Sequence, residues 1–405
     1  MIESKLITHN KSFIFIKNQQ TLLFSLAFVI RVIFLFCLPN ISFPDSQTYI
    51  NAGKDLFYSG AIKFDNVMPI YPIYTFLFGS ECAIKWADLT ISSINVLLIY
   101  RLSELLYSNK RLSLISGSIA AFYPFFVFYS VSILTETLYI FFVLLIFIFF
   151  YKKKFVLASV FIILSILLRP IFDLLSIPLI IFFSLYYYKS GIKTTVRRIV
   201  YYILLYVLMM MPWWIHQYNK YGEIVRLNLG DGIVLYSGNN PLNKSGGGVL
   251  DPIKGPDMDM SFFDAIDDPI EKNKQMKSKA FGYIISNPSH FFKMMGVKFI
   301  RFWRLWPYSP QYEKPLYMIA SIFSYGICLL LSIGFLVTIK FNDLKKIAPI
   351  LMVISYLCLI HMVTISSIRY RLPIEPFLII FTSNFIVFNL KIKFRNNFIS
   401  KFLPQ

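Results

Sequence analysis

The stretch Ile133-Leu-Thr-Glu-Thr-Leu-Tyr-Ile-Phe-Phe-Val-Leu-Leu-Ile-Phe-Ile-Phe-Phe150, closed by Lys152-Lys-Lys154, decides the fold class. Wound as a helix, it is apolar on all sides, unlike a half-exposed helix of a soluble domain. Its length approaches the roughly 20 residues that cross a bilayer core. A membrane β-strand would alternate apolar and polar residues instead.

Similar apolar runs recur to either side. Of 405 residues, 57% are apolar and only 15% charged, where a soluble domain carries about 25% charged residues. The predicted fold is therefore an all-α polytopic membrane protein with about ten transmembrane helices. They fall near 20–38, 84–106, 113–130, 133–150, 155–169, 171–187, 199–215, 316–338, 347–366 and 374–390. The first lacks a small-residue cleavage site and is read as a retained span.

Basic clusters punctuate the spans. Twenty of the 40 Lys and Arg fall in short segments assigned to the cytoplasm, against three of the 21 acids (Glu3, Glu104, Asp343). This positive-inside pattern puts both termini in the cytoplasm. The net charge of +19 is thereby accounted for, and with no recognisable motif, nucleic acid is not an expected partner. The four cysteines, Cys37, Cys82, Cys328 and Cys358, are scattered without metal-type spacing.

Three modules follow. Residues 1–215 form an N-terminal membrane module with a first external loop at 39–83, where Ser46 to Tyr58 reads as an amphipathic helix on the membrane surface. Residues 216–315 form a small external domain, with Gly- and Asn-rich turns, an acidic patch (Asp257, Asp259, Asp264, Asp267, Asp268) and a helical stretch at 270–303. Residues 316–405 add C-terminal spans and a basic tail (Lys391, Lys393, Arg395, Lys401).

Charges beside a membrane are costly, which makes each a candidate for function. Asp45 follows the first span; it suits a carboxylate general base and equally a helix cap. Arg169, Arg369 and Arg371 sit at turns predicted to be external. Guanidinium forks suit phosphate, although interfacial arginines also snorkel. Glu136 opens the fourth span, where it could orient a substrate hydroxyl or serve as an ion-pair partner favoured by the helix dipole. Asp173 reads as a structural partner near Arg169. Arg31, inside the first span, would need a partner; His216 and Glu81 are weaker candidates. No Walker loop or dinucleotide fingerprint is present, so an activated donor would have to reach the site from the membrane.

These residues resemble the bacterial branch of the GT-C membrane glycosyltransferases (glycosyltransferase family 39-like), relatives of the protein O-mannosyltransferases and the lipid A aminoarabinose transferase. Phe43-Pro-Asp45-Ser-Gln-Thr-Tyr49 is similar to the family's acidic motif in the first external loop. Met68-Pro-Ile-Tyr-Pro72, Tyr123-Pro124 through Thr135-Glu136, and Leu168-Arg169-Pro170 follow in family order. Pro212-Trp213, Gly238-Asn-Asn-Pro241, Asn287-Pro288 through Lys298, and Arg369-Tyr-Arg371-Leu-Pro373 complete the likeness. After Pro212-Trp213 the family often has Arg-Asn, where this chain has His216-Gln217.

The resemblance implies a GT-C-like bundle in a bacterial inner membrane. It implies inverting transfer of a monosaccharide from a polyprenyl-phosphate donor to an acceptor glycan, lipid or protein on the periplasmic face. Asp45 is then the expected base, Arg169, Arg369 and Arg371 the donor-phosphate ligands, and Tyr49, Glu136 and His216 substrate-binding residues. Some relatives bind a divalent metal; no ligand cluster is visible here, and no metal or other cofactor is predicted. Two alternatives stand beside this: a lipid-linked oligosaccharide polymerase or ligase, and a non-enzymatic transporter.

Overall fold

A computed structural model describes residues 2–37, 43–248, 258–307 and 314–389, with only the backbone for residues 2–17 and Asn342. Asp257 of the acidic patch and the basic tail lie outside the described residues.

Every regular element among the described residues is helical. In chain order they are α1 (Ile2–Cys37), α2 (Pro44–Ser59), α3 (Ile70–Phe78), α4 (Glu81–Tyr107), α5 (Lys110–Phe122), α6 (Pro124–Tyr129), α7 (Thr135–Tyr151), α8 (Phe155–Leu168) and α9 (Asp173–Phe182). Then follow α10 (Ile192–Tyr221), α11 (Asp231–Gly238), α12 (Ser261–Asp264), α13 (Pro269–Ser286), α14 (Pro288–Phe302), α15 (Pro315–Ser321), α16 (Ile327–Thr338), α17 (Phe341–Val363) and α18 (Glu375–Phe388). Short 3₁₀ or π segments extend α9, join α15 to α16, and precede α9 and α18.

Seven helical stretches among the described residues are long and apolar enough to cross a membrane, and the chain is a polytopic helical membrane protein. They are Asn18–Cys37, Glu81–Tyr107, Pro170–Tyr187, Ile192–Tyr221, Pro315–Thr338, Asp343–Val363 and Ile368–Phe388. The other three expected spans form shorter helices: α5 has 13 residues, α7 has 17 and α8 has 14. Proline sets two of the breaks. Pro124 and Pro170 hold Tyr123 and Arg169 in extended backbone, the conformation that a following proline favours, and α5 and α8 stop there.

Helix α7 is the centre of the bundle, buried along most of its length between α4 and α8. An all-round apolar surface is what such a position requires. The predicted surface helix is α2, begun by Pro44 at its first turn. It crosses α3 closely: a Cβ on Gly53 would fall 2.3 Å from Thr75 Oγ1. Thr75 instead donates to the carbonyl of Tyr49 at 3.0 Å. The expected 270–303 helix divides at Asn287-Pro288 into α13 and α14. Trp213 and Trp214 clamp the segment after α10, donating to the carbonyls of Leu227 and Arg226.

Candidate active site

Four charged side chains from distant parts of the chain meet at one end of the bundle. Asp45 stands in the first turn of α2, Glu136 in the first turn of α7, Arg169 just past the end of α8, and Arg369 in the 3₁₀ turn before α18. Basic residues lie at the other ends of α7, α8 and the helix that leads into the Arg369 turn: Lys152–Lys154 ends α7 and precedes α8, and Lys340 precedes α17. The site and the clusters are thus separated by the length of the bundle.

Arg369 is the bridge. Its Nε donates to Glu136 Oε1 at 3.1 Å, and its Nη1 donates to Asp45 Oδ2 at 2.9 Å. Arg169 Nη1 reaches the same Glu136 oxygen at 3.3 Å. Glu136 is wholly buried, and its Oε2 has no hydrogen-bond partner. Asp45 is 53% exposed, while Arg169 and Arg369 keep 21% and 22%. The Glu136 carboxylate is therefore sealed in, while the two guanidinium groups and Asp45 keep access to the surface.

Local structure holds this geometry. Ser46 Oγ donates to the carbonyl of Ser132 at 2.8 Å, tying α2 to the turn that starts α7. In that turn Ile133 has φ 48°, a left-handed conformation that is a true outlier for a β-branched residue. Such strain persists only where surrounding contacts over-determine it, and here it lies three residues before Glu136. Aromatic rings line the cluster: Arg169 lies 5.7 Å from the ring centroids of both Tyr139 and Tyr370, and Arg369 lies 5.5 Å from that of Phe43.

No protein-family model matches this chain, and no curated protein matches it in sequence.

Tyr49 belongs to it. Burial, partly offset by Arg169, pushes its phenol up to about 12, so it remains a neutral hydrogen-bond donor. Its ring packs edge-on against Tyr71 at 4.8 Å. Arg371 does not join the cluster. Its Nε pairs with Glu375 at 2.8 Å, its Nη1 donates to the carbonyls of Phe302 and Arg304, and Tyr325 lies 3.4 Å below it. It closes the C-terminal end of α14, where a cation is favoured. His216 also stands elsewhere, stacked on Trp213 at 5.2 Å. Asp173 is a structural partner, but of Arg226 and Tyr206. Arg31 finds neutral partners, donating to Ser92 Oγ at 2.7 Å and to the carbonyls of Ala27 and Ala121. Glu81 sits in the first turn of α4. All four cysteines are free.

One buried carboxylate near the site was not singled out from sequence. Asp88 of α4 accepts from Tyr74 at 2.8 Å and from Tyr71 at 3.2 Å, and so fixes the ring behind Tyr49. An acid inside a long apolar helix, away from its ends, was the available signal. Among the described residues, no group of three or more His, Cys, Asp or Glu is gathered as a metal site.

Proposed function

We propose that the chain is a membrane glycosyltransferase, moving a monosaccharide from a polyprenyl-phosphate donor to an acceptor hydroxyl with inversion, at the face away from the basic clusters. The observation that carries this reading is Arg369, held between an exposed and a sealed carboxylate. The ten-span count, with α5–α6, α7 and α8 all crossing, belongs to the same reading.

The donor phosphate docks on the open edges of Arg169 and Arg369, where guanidinium forks match its oxygens. The acceptor hydroxyl attacks the anomeric carbon from the opposite side. The new C–O bond forms as the bond to the phosphate oxygen breaks, and polyprenyl phosphate leaves with the electron pair. Asp45 takes the hydroxyl proton. Once protonated, Asp45 loses its ion pair with Arg369, and the freed Nη1 turns to the phosphate as negative charge grows there. Proton acceptance and leaving-group stabilisation are thus coupled through one side chain. Glu136 keeps both arginines apart and aimed, and Tyr49 offers a hydroxyl to the sugar.

The test supplies membranes holding the wild-type chain or Asp45→Asn with radiolabelled polyprenyl-phosphate sugars and follows label leaving the lipid. The expected result is transfer by wild type and a loss of about 10²- to 10⁴-fold in the variant, the range for removing a general base. Equal transfer by both would reject Asp45 as the base. No transfer from any monosaccharide donor would favour an oligosaccharide ligase or a transporter.

A further inference from the structure

The external domain grips the segment that leads into Arg369. The glycine-rich turns after α11 are wedged between α14 and residues 363–366. Gly238 lies so close that a Cβ there would fall 2.0 Å from the carbonyl oxygen of Thr364. Asn239 Nδ2 donates to the carbonyl of Val363 at 2.9 Å, and the Ser366 amide donates to that of Gly246 at 2.9 Å.

Two cations from α14 reach the same segment. Arg301 Nε donates to the carbonyl of Ser366 at 2.7 Å, and its Nη1 to that of Ser245 at 3.2 Å. Lys298 is wholly buried. Its Nζ donates to the carbonyl of Val363 at 3.3 Å and to Asn239 Oδ1 at 3.4 Å. No ion pair to Lys298 is formed among the described residues. A buried amine on two long, neutral bonds is an expensive way to fill space, and an unbranched apolar chain would pack there at less cost.

From Ser366 the chain runs directly into the site. Ser367 Oγ accepts from the Arg369 amide at 3.4 Å, and Tyr370 stacks on His361 at 4.3 Å. Residues 363–370 therefore form a strap, gripped by the external domain at one end and carrying the bridging arginine at the other.

We propose that Lys298 is a positioning residue: through Val363 and Asn239 it fixes this strap, and so sets the reach of Arg369 to Asp45, Glu136 and an anionic headgroup. The headgroup clause rests on the phosphate-binding reading of Arg369; the strap clause does not.

The experiment uses the full chain in lipid nanodiscs, comparing wild type, Lys298→Met, Gly238→Ala and, as a control for charge, the exposed Lys293→Met. Amide exchange over 363–370 and the affinities for a short polyprenyl phosphate and the matching polyprenol are measured. In Lys298→Met, strap exchange quickens and phosphate binding weakens, each about tenfold, while polyprenol binding stays as in wild type and exchange outside the strap does not quicken. Gly238→Ala changes in the same direction, so the test survives if one variant fails to fold. Lys293→Met changes neither quantity. Wild-type exchange in both strap variants, or quickened exchange with unchanged phosphate affinity, overturns the proposal. If wild type does not distinguish the phosphate from the alcohol, the phosphate reading of Arg369 falls, and exchange alone decides the strap.

Discussion

Asp45 and Glu136 are both carboxylates on Arg369, yet their surroundings give their replacements different consequences. Asp45 is half exposed, so its ion pair contributes at most about 1 kcal/mol, and Asp45→Asn is expected to unfold at nearly the wild-type temperature. Glu136 is sealed, and Glu136→Gln leaves two guanidinium groups with no buried countercharge, a loss on the order of 3–5 kcal/mol. Thermal unfolding in one detergent separates them; equal losses would contradict the burial difference. Lys298 makes a pH prediction. Burial holds its amine down to about 7, against about 10.4 in an unfolded chain. Between these values the unfolded state binds more protons, so stability should rise with pH from about 7 to about 10. Below about 7 the penalty is complete and flat. Lys298→Met should remove this slope and raise the unfolding temperature most at neutral pH; an unchanged slope would assign it to another group.

Among the elements, the 3₁₀ turn before α18 explains what sequence did and did not reveal. Arg369 and Arg371 are two residues apart, and the motif alone offers no reason to separate them. The turn sends Arg369 to the two carboxylates and Arg371 to the end of α14. Arg371→Met should therefore cost about 3–5 kcal/mol by stranding Glu375. Adding Glu375→Gln should recover part of that loss, and a double-mutant cycle measures the coupling. Additive losses would mean that the pair is not coupled. Asp45, Glu136, Arg169 and Arg369 were legible because charges at the ends of apolar runs need a reason to be there. Asp88 was not, since its partners Tyr71 and Tyr74 come from another helix, and side-chain pairing across helices leaves no local periodicity. Lys298 stood at the end of the stretch that opens at Asn287-Pro288, with no role assigned to it; its burial marks it out. The apolar runs were legible as helices, but proline and chain turns left α5, α7 and α8 shorter than the runs had promised.

For the whole molecule, the short central helix has a consequence for the surrounding lipid. At about 1.5 Å per residue, the 17 residues of α7 extend about 25 Å, less than the roughly 30 Å of a typical hydrocarbon core. With Lys152–Lys154 at one headgroup layer, Glu136 lies some ångströms short of the other. Unless the bilayer thins to meet it, the site stays recessed beneath the lipid phosphates. On the proposed glycosyltransferase reading, the protein reconstituted into vesicles of graded acyl-chain length should transfer sugar fastest in the thinner membranes, with the rate falling as the chains lengthen. A rate indifferent to chain length would mean that the longer helices packed around the buried α7, not α7 itself, set the depth of the site. If the rate falls as the chains lengthen, hydrophobic mismatch joins donor supply as a control on the proposed transfer, exerted by the composition of the membrane itself.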